Sequence, residues 1–479
     1  MTPQAAFEYL NRITGIAPLG APAFEGSEAV VSTPMRVATA AATSLGLGGA
    51  VAGEIWRFRG GDKQSVAVDL KAAAASLVSY SLLQRNGLPP SRPDETNPAT
   101  GFYQCADGRW FHLHGGFQHL AMRTLDLLNA NNDAKSILES VSKWNSLALE
   151  ETLAFMGLCG AVVRTEEEWR TSVQGRVTPP PLILKKIGNA PPLRLPESSL
   201  PLDGVRVLDM TRVLAGPAGS RLLASYGADV LTIRAKRLPS AEFFDLDLEA
   251  GKRLAFLDLA KPGDAESLRR LVRGAQVFMD SYRPGALAKL GFSPAALAHI
   301  APGIITVSVS AYGPDGPWAG RRGWEQLVQA APGLAVEQGA FMAARRKSRR
   351  ETLPELIPAS VLDYTTGYLA AAGAMAALLR RIREGGSWQV QVSLAATAAW
   401  LHSLGKIDAA SVPESWDARN GLDPYLLSCE TKDGRLELLG PVVRMSKTPP
   451  LTGGPPEIAD APCWASVQED ANAAQVKSA

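Results

Sequence analysis

The segment "SLPLDGVRVLDMTRVLAGPAGSRLLASYGADVLTI", residues 199–233, decides the fold. Its apolar run "VRVLDM" has the length and composition of a buried strand. The stretch "PAGSRLLASYG" (217–227) begins with a proline that suits a helix start and ends on a glycine that suits a helix stop. "ADVLTI" is a second strand. A strand, a helix and a strand in this order predict parallel neighbours in one sheet.

The same alternation continues towards the C-terminus. Further strands are predicted at "LAFLDL" (254–259), "QVFMDSY" (276–282) and "GIITVSVSAY" (303–312), with helical segments between them. This pattern predicts an α/β fold with a Rossmann-like, doubly wound parallel sheet and helices on both faces. Ligands bind at the carboxyl ends of such strands, so the loop "TRVLAGP" (211–217) is a candidate site wall. The dinucleotide fingerprint G-x-G-x-x-G is missing from this loop, which argues against a nicotinamide dehydrogenase.

Composition places the chain among globular proteins. It has 479 residues, 46% of them hydrophobic, and a formal net charge of +2. Neither the hydrophobic fraction nor the net charge indicates binding to nucleic acid or to a membrane. The first residues lack a signal-peptide pattern and the four cysteines form neither a disulfide framework nor a zinc spacing, so we expect a cytoplasmic protein with no metal. The basic cluster "ARRKSRR" (344–350) is either a solvated loop or a phosphate contact.

An internal repeat appears when residues 33–80 are compared with residues 358–402. Each stretch predicts a helix of small residues with a basic end, a Gly-Gly turn, an alternating strand and a second helix. Beyond it, 101–115 and 424–440 each predict a strand pair around an Asp-Gly turn. The chain therefore resembles two related units fused together, of which the first is a degenerate partial duplication.

Asp363 begins the helix of the second unit, in "LDYTTGYLAAAGAMAALL". Aspartate is a preferred N-cap, because its carboxylate accepts hydrogen bonds from the free amides of the first turn. The alternative is a nucleophile exposed in a cleft. The first unit has Ala38 or Thr39 at the corresponding place, and a capping role alone does not explain which copy keeps the acid.

Residues 201–402 resemble the class III CoA-transferases, the family of formyl-CoA transferase, carnitine CoA-transferase and α-methylacyl-CoA racemase. The resemblance is carried by "PLDGVRVLDMTRVLAGP", "GADVLTI", "GKRLAFLDL", "SYRPGALAKLGF", "ITVSVSAYGPDGP", "GWEQLVQAAPGL" and "LDYTTGYLAA", in that order. Residues 60–195 resemble the C-terminal part of the same family. We therefore expect a degenerate partial copy at 1–195, a Rossmann-like CoA-transferase domain at 196–402, and a shortened remnant of the smaller α/β domain with a tail at 403–479.

The resemblance implies a reaction and its partners. In the family, the aspartate at the position of Asp363 attacks the thioester of an acyl-CoA, and CoA passes to a small carboxylic acid through an aspartyl anhydride and an aspartyl-CoA thioester. Because an ordinary aspartate has a pKa of about 3.9, we expect this carboxyl to be ionised at neutral pH. Coenzyme A is then a substrate and no metal is needed. The family forms an interlocked dimer, so we expect either a homodimer or a pseudo-dimer within one chain.

The resemblance also implies a CoA-binding surface, with Lys289 offering a cation to a phosphate and Tyr282 a ring to the base. Lys236 and Arg237 become phosphate contacts because Arg234 replaces an acid of the family's nucleotide pocket. Glu325 corresponds to an acid beside the active site and orients substrate or makes a structural hydrogen bond. The other expected lining residues are Val213, Leu214, Leu257 and Ser281. Core packing in the sheet is the alternative for Val213 and Leu257, and a solvated helix position is the alternative for Lys289.

Other functions within and beyond the family stay open. Racemases of the family use a histidine just before the acid of the "GW-E-Q" motif, where this chain has Trp324. A racemase, isomerase or lyase is therefore the first alternative to a transferase. A non-catalytic CoA-binding scaffold is the second, because the duplication is partial and the nucleotide loop is altered at Arg234.

Overall fold

An eight-stranded sheet forms the centre of the molecule. The computed structural model describes residues 1–17, 19–89, 97–239, 242–346, 352–431, 433–459 and 461–464. Residues 347–350 of the basic cluster therefore lie outside the described residues. The strands of the chain, in order, are β1 Ala23–Glu25, β2 Val66–Asp69, β3 Gln84–Arg85, β4 Gly101–Gln104, β5 Trp110–Leu113, β6 Gly160–Val162, β7 Ile183–Gly188, β8 Arg206–Met210, β9 Asp229–Arg234, β10 Arg253–Phe256, β11 Val277–Asp280, β12 Ile305–Ser310, β13 Ser387–Ser393, β14 Leu426–Thr431, β15 Gly434–Leu439, β16 Val443–Met445 and β17 Glu457–Ile458.

The central sheet has the spatial order β17-β10-β9-β8-β11-β12-β13-β7. All neighbouring strands are parallel except β13 and β7, which are antiparallel. The predicted α/β class and the mainly parallel sheet are confirmed. Counted along the chain, the strands run outward in one direction from β8 to β10 and in the other from β11 to β13. The crevice between β8 and β11 is thus the place where an open parallel sheet binds ligands.

Helices cover both faces of this sheet. They are α1 Pro3–Ile13, α2 Val37–Phe58, α3 Leu70–Ser76, α4 Ser79–Leu82, α5 Gln118–Leu128, α6 Ala134–Val141, α7 Ser146–Phe155, α8 Glu166–Thr171, α9 Val173–Arg176, α10 Ala215–Ser225, α11 Glu242–Leu248, α12 Pro262–Gly274, α13 Pro294–Ile300, α14 Glu325–Ala330, α15 Leu334–Arg345, α16 Val361–Glu384 and α17 Leu394–Ser403. Within the described part of the chain no helix is both long and apolar enough to cross a membrane.

Alternate residues of the parallel strands point into two different cores. Val207 and Val307 belong to the core shared with α10, α16 and α2. Leu208 and Phe278 belong to the core shared with α12 and α13. The continuous apolar strands of the sequence are therefore explained by burial on both faces, as expected for a parallel sheet covered by helices.

The two segments of the internal repeat form matching elements that pack on each other. Helix α2, strand β2 and helix α3 follow one another as α16, β13 and α17 do. The side chains of Asp69 and Ser393 each cap the helix that follows the strand, accepting from Ala72 N at 2.7 Å and Ala396 N at 3.2 Å. Both strand pairs predicted around Asp-Gly turns are present, as β4–β5 and β14–β15.

Strands after residue 402 pair with strands far away in the sequence. β16 pairs with β2, β15 with β3, and β17 with β10. In the same way β7, from the first 195 residues, forms one end of the central sheet. The domain limits expected from the sequence stay predictions. The strand pairings connect residues from all three of the segments that those limits separate.

Candidate active site

A cavity of about 360 Å³ opens at the carboxyl ends of β8, β11 and β12. Asp363 lies in its wall, as do Val213 and Leu214 of the loop after β8. Ser281 and Tyr282, which follow β11, line it as well. The site therefore lies at the crevice that the strand order indicates, and Asp363 is open to it rather than sealed in the core.

Asp363 is the third residue of α16 and does not cap the helix. Its backbone N–H donates to Oε2 of Glu325 at 2.6 Å, and the N–H of Leu362 donates to Oε1 at 3.1 Å. The Glu325 carboxylate thus satisfies the first-turn amides that a capping aspartate would have taken. Among the described residues, the Asp363 carboxylate has no hydrogen-bond partner, which leaves it available to a ligand.

Glu325 is itself fixed by its own helix, α14. Gln329 Nε2 donates to Glu325 Oε1 at 2.8 Å and to the Ala359 carbonyl at 3.2 Å. Gln329 Oε1 accepts from Ile357 N at 2.8 Å. Gln329 therefore connects α14 to the segment that leads into α16. Its hydrogen bonds hold Glu325 and the chain before Asp363 in place.

Burial changes the protonation of this acid pair. Loss of hydration, and then the Glu325 charge, raise the pKa of Asp363 well above its usual range. Burial raises the pKa of Glu325 to about 7, against the lowering effect of its hydrogen bonds from Gln329 and the backbone. The structure corrects the expectation of a carboxyl ionised like an ordinary aspartate, because the sequence did not show how deeply Asp363 is buried or that Glu325 lies beside it.

The loop after β8 holds its shape by strain and by one side-chain bond. Val213 has φ +74°, in the left-handed region that β-branched residues avoid. Ser281 Oγ accepts a hydrogen bond from Arg212 N at 3.0 Å and so ties this loop to the end of β11. Strained backbone of this kind concentrates at functional sites.

Four residues expected to bind CoA are absent from the lining of this cavity. Leu257 is buried in the core against α12 and α13. Lys236 lies 5.0 Å from the Phe256 ring centroid, and Arg237 pairs with Asp258 at 3.0 Å. Lys289 is solvent-exposed on the short 3₁₀ helix Ala288–Leu290. Their role in binding CoA stays a prediction.

The Arg234 guanidinium forms ion pairs with acidic side chains, so its charge is not available to a ligand. Its guanidinium pairs with Asp245 at 2.5 Å and with Glu249 at 2.7 Å. Lys252, fully buried, lies 3.5 Å from both Glu249 and Asp209. Arg234 thus belongs to an internal ion network with Asp245, Glu249, Lys252 and Asp209.

Sequence analysis missed the positive charge of the cavity. Four arginines line it: Arg212, Arg283, Arg321 and Arg322. Arg321 is neutralised by Glu151 at 2.5 Å, whereas no described residue forms an ion pair with Arg212, Arg283 or Arg322. The two adjacent arginines of "RRGWE" (321–325) were the signal in the sequence from which this charge could have been predicted. Three arginines without acidic partners suit a ligand that carries phosphates.

Sequence analysis also missed the part played by the first unit. Phe117 and His119, which follow β5, line the same cavity as Asp363. The Phe117 ring meets Trp324 edge to face at 5.4 Å. Trp324 Nε1 donates to Cys159 Sγ at 3.3 Å, and the His114 ring lies 5.0 Å from Trp324 on the other side. Phe117 and His119 therefore complete a wall of the site, and the pattern "HGGF" (114–117) was the signal in the sequence.

The first unit carries a counterpart of the Glu325–Asp363 arrangement. Glu28 accepts from Ala38 N at 3.1 Å and from Thr39 N at 2.9 Å, as Glu325 does from Leu362 and Asp363. Thr39, not Ala38, therefore occupies the place of Asp363. Its hydroxyl donates back to Glu28, so the only polar group at that place is consumed internally.

A second cavity, of about 250 Å³, lies between α10, α16 and the β14–β15 pair. Two of its polar side chains, Arg221 and Tyr368, already have hydrogen-bond partners within the protein. Arg221 donates to Asp247 at 2.7 Å, and the Tyr368 hydroxyl donates to Ser76 Oγ at 2.9 Å. It contains no counterpart of the open carboxylate of Asp363, so the cavity beside β8 and β11 is the candidate active site.

Comparison with known proteins gives a family for this part of the chain. Residues 202–434 match the model of CoA-transferase family III. The resemblance inferred from the motifs is confirmed. The matched range contains Asp363, Glu325 and every arginine of the cavity, and it leaves out Phe117 and His119.

The relatives extend beyond this chain. It is 33% identical over 323 residues to an acyl-CoA transferase of Gibberella moniliformis, covering 62% of this chain and 55% of that protein. It is 29% identical over 340 residues to the acetyl-coenzyme A transferase nodX of Hypoxylon pulicicidum, with 64% and 55% covered. A probable fatty acyl-CoA transferase of Mycobacterium tuberculosis is 32% identical over 217 residues, with 42% and 52% covered. The chain spans about half the length of these relatives.

Proposed function

Since residues 202–434 carry the match to CoA-transferase family III, we propose that this chain moves CoA from an acyl-CoA thioester to a small carboxylic acid, with Asp363 as the nucleophile. The observation that carries the proposal is the Asp363 carboxylate, which faces the cavity without a hydrogen-bond partner among the described residues while Glu325 holds its backbone. A structural aspartate at a helix start is normally occupied by capping.

The reaction requires two exchanges at this carboxylate. An Asp363 oxygen attacks the thioester carbon and the C–S bond breaks, giving an acyl-aspartyl anhydride and CoA thiolate. The thiolate attacks the aspartyl carbonyl, releases the donor acid and forms an aspartyl-CoA thioester. The acceptor carboxylate then attacks this thioester, and the thiolate returns to the acceptor acyl carbon, which frees Asp363. Holding both partners in one cavity supplies most of the catalysis, up to about 7–11 kcal/mol in favourable cases.

CoA is proposed to bind with its phosphates towards the arginines of the cavity and its thioester towards Asp363. Arg212, Arg283 and Arg322 have no described acidic partner, so each has donors for a phosphate oxygen. The order β10-β9-β8-β11-β12 reverses the direction of chain progression between β8 and β11, and open parallel sheets bind ligands at the carboxyl ends of the strands beside such a point. Lys236 and Arg237 extend the same charge outward.

The first unit is proposed to act as the second half of a pseudo-dimer. The helices α2 and α16 of the two repeat segments pack together, and Phe117 and His119 of the first unit reach the cavity of the second. In this proposal, the residues that two subunits of a dimer would contribute to one site come from a single chain.

Acyl-CoA racemisation or isomerisation is the second candidate, because His119 lines the cavity together with Asp363. A histidine and a carboxylate are the groups that a proton shuttle at the α-carbon needs. Incubation of a chiral 2-methylacyl-CoA in deuterated water tests this directly. A racemase incorporates deuterium at the α-carbon without any acceptor acid, whereas a transferase requires the acid and leaves that proton in place.

Intact mass after incubation with acyl-CoA tests the proposed transferase. We expect an adduct of acyl or CoA size that hydroxylamine removes and that Asp363→Ala abolishes. Asp126→Ala, an exposed aspartate on α5, is the matched control and should keep the adduct. Failure of every acyl-CoA in a broad panel to load the unmodified chain would sink the proposal.

A further inference from the structure

Two acids meet where a helix of the first unit begins beside a helix of the second. Glu166 is the first residue of α8, and Glu337 lies in the first turn of α15. The two helix starts are in contact, because a Cβ on Gly333, the residue before α15, would lie 2.4 Å from the Glu166 backbone nitrogen. Carboxylates are common in the first turn of a helix, where they interact favourably with its dipole, so these two acids alone do not indicate a ligand.

A third side chain, His402 near the end of α17, is buried beside these acids. It is 8% exposed, and its Nε2 lies 3.0 Å from the Pro332 carbonyl oxygen. A carbonyl oxygen can only accept, so Nε2 carries the proton and Nδ1 of the neutral ring has a lone pair. Nδ1 has no hydrogen-bond donor among the described residues, and it faces Glu337 Oε1, a second acceptor. A buried lone pair directed at a carboxylate is unfavourable unless a cation lies between the two.

The separation of these groups fits a shared metal ion better than a direct contact. His402 Nδ1 and Glu337 Oε1 are 3.8 Å apart. A direct N–H···O hydrogen bond spans about 2.7–3.2 Å. Two ligands of one Zn²⁺, each bound at about 2.0–2.2 Å, lie roughly 3–4 Å from each other. One ligand atom from each of Glu166, Glu337 and His402 lies within 4.8 Å of the other two, and the exposed Glu166 can close the remaining gap by rotation of its side chain.

The surrounding contacts orient the imidazole and one carboxylate. A metal-bound histidine normally donates its other ring N–H to a carbonyl or a carboxylate, as His402 donates to Pro332. Lys406 Nζ lies 3.0 Å from Glu337 Oε2, so it holds the other oxygen of this carboxylate and leaves Oε1 towards the ring. No described residue forms an ion pair with Glu166. Lys406 therefore balances one of the two negative charges, and the second remains for a bound cation.

We propose that Glu166, Glu337 and His402 bind a Zn²⁺ ion that joins the first unit to the second. One imidazole and two carboxylates are ligands that this ion accepts. The ion connects the start of α8 to α15 and α17. None of its three ligands is among the described residues that line the cavity of Asp363, so this inference does not depend on the proposed function. The scattered cysteines, from which no metal was expected, take no part in it.

Zinc binding by the full chain, after removal of metals with EDTA and of EDTA by dialysis, tests the proposal. We expect one Zn²⁺ per chain in equilibrium dialysis and a higher Tm when Zn²⁺ is added, because an ion that binds only the folded chain stabilises it. His402→Gln should weaken zinc binding at least about tenfold and reduce the rise in Tm. His299→Gln, at an exposed histidine on α13, is the matched control and should bind zinc as the unmodified chain does.

Glu166→Gln keeps the experiment decisive where His402→Gln does not fold. Glu166 is exposed, so the neutral glutamine should leave the Tm without zinc unchanged while weakening zinc binding at least about tenfold. Unchanged zinc affinity in the variants that fold would show that the ion binds elsewhere on the chain, and would overturn the proposal. Absence of zinc binding by the unmodified chain would overturn it as well, and neither result bears on the transferase proposal.

Discussion

Asp363 combines two properties that oppose each other, openness to a ligand and a weak tendency to ionise. The carboxylate is the form that attacks a thioester, whereas burial and the neighbouring Glu325 favour the protonated form. The two acids titrate as a pair, so the active fraction of the enzyme depends on both. This arrangement makes the pH dependence of adduct formation diagnostic.

Glu325→Gln should move the pH profile of adduct formation to lower pH. The unmodified chain needs Asp363 ionised, so its rate rises with pH through the raised pKa of this residue. Glutamine keeps an acceptor for the amide of Asp363 but carries no charge, so the pKa of Asp363 falls. Glu28→Gln makes the same substitution at the counterpart in the first unit, and its profile should coincide with that of the unmodified chain. A profile that Glu325→Gln leaves in place would contradict the role assigned to this charge.

Asp363→Asn should stabilise the protein, increasingly so at higher pH. The pKa of Asp363 is higher in the folded than in the unfolded chain, so the folded state binds the proton more tightly and stability falls as pH rises from the unfolded to the folded pKa. Asparagine removes this penalty. We expect a higher Tm than that of the unmodified chain at pH 8 and a smaller difference at pH 4. A difference that shrinks as pH rises would show that Asp363 is stabilised as a carboxylate.

The place of Asp363 in the wall of a cleft was predictable from sequence, whereas its environment was not. The motif "LDYTTG" and the absence of the acid from the first repeat singled it out. That Glu325 accepts from the amides of Leu362 and Asp363, and that Phe117 packs on Trp324, depends on contacts between residues that are far apart in the sequence. Local patterns do not encode such contacts, so the raised pKa could not be foreseen.

At the scale of elements, the close approach of α10 to α16 fixes the nucleophile relative to the loop after β8. Gly367 faces the Ala215 carbonyl so closely that a Cβ on Gly367 would collide with that backbone oxygen. The first turn of α10, which follows Val213 and Leu214, is therefore seated one turn after Asp363. The glycine serves the active site through packing rather than through backbone flexibility.

Gly367→Ala should destabilise the chain by about 1–3 kcal/mol, the cost of overpacking a close contact. The midpoint of urea unfolding measures it, and the same variant should slow adduct formation because α10 is displaced. Gly263→Ala on α12 is the control, since nothing lies within 4 Å of the added carbon there. An unchanged midpoint for Gly367→Ala would mean that α10 and α16 can move apart without lowering the free energy of unfolding.

The elements themselves were largely predictable, because strands and helices of the central sheet follow apolar runs and their punctuation. Helix α16 nevertheless begins at Val361, before the expected start at Asp363, because Glu325 accepts hydrogen bonds from its first-turn amides. The strand expected at 254–259 ends at Phe256, where Leu257 turns into the core. Both differences arise from tertiary contacts at the ends of elements.

At the scale of the molecule, the chain supplies both halves of one site. Sheets β1-β2-β16 and β14-β15-β3 each join strands from opposite ends of the sequence. Such pairings between distant segments are beyond local sequence patterns, although the internal repeat indicated that two related units exist. The consequence for assembly is that no second copy is required to complete the cavity around Asp363.

We therefore expect the protein to be a monomer when active. Light scattering should give a mass near 50.8 kDa at concentrations where adduct formation is measured. Phe117→Ala should impair the reaction without being rescued by mixing with Asp363→Ala, since each site draws both residues from the same chain. Recovery of activity in that mixture, or a mass twice as large, would show that the sites are shared between copies.

The hydrogen bond from the Thr39 hydroxyl to Glu28 has a consequence for how the sequence of this protein can change during evolution. In an assembly of identical subunits, every substitution is made twice, once at each symmetry-related position. Here α2 and α16 are separate segments of one chain, so a substitution in one helix leaves the other unchanged. The two helices can therefore differ in sequence at equivalent places, as Thr39 and Asp363 do.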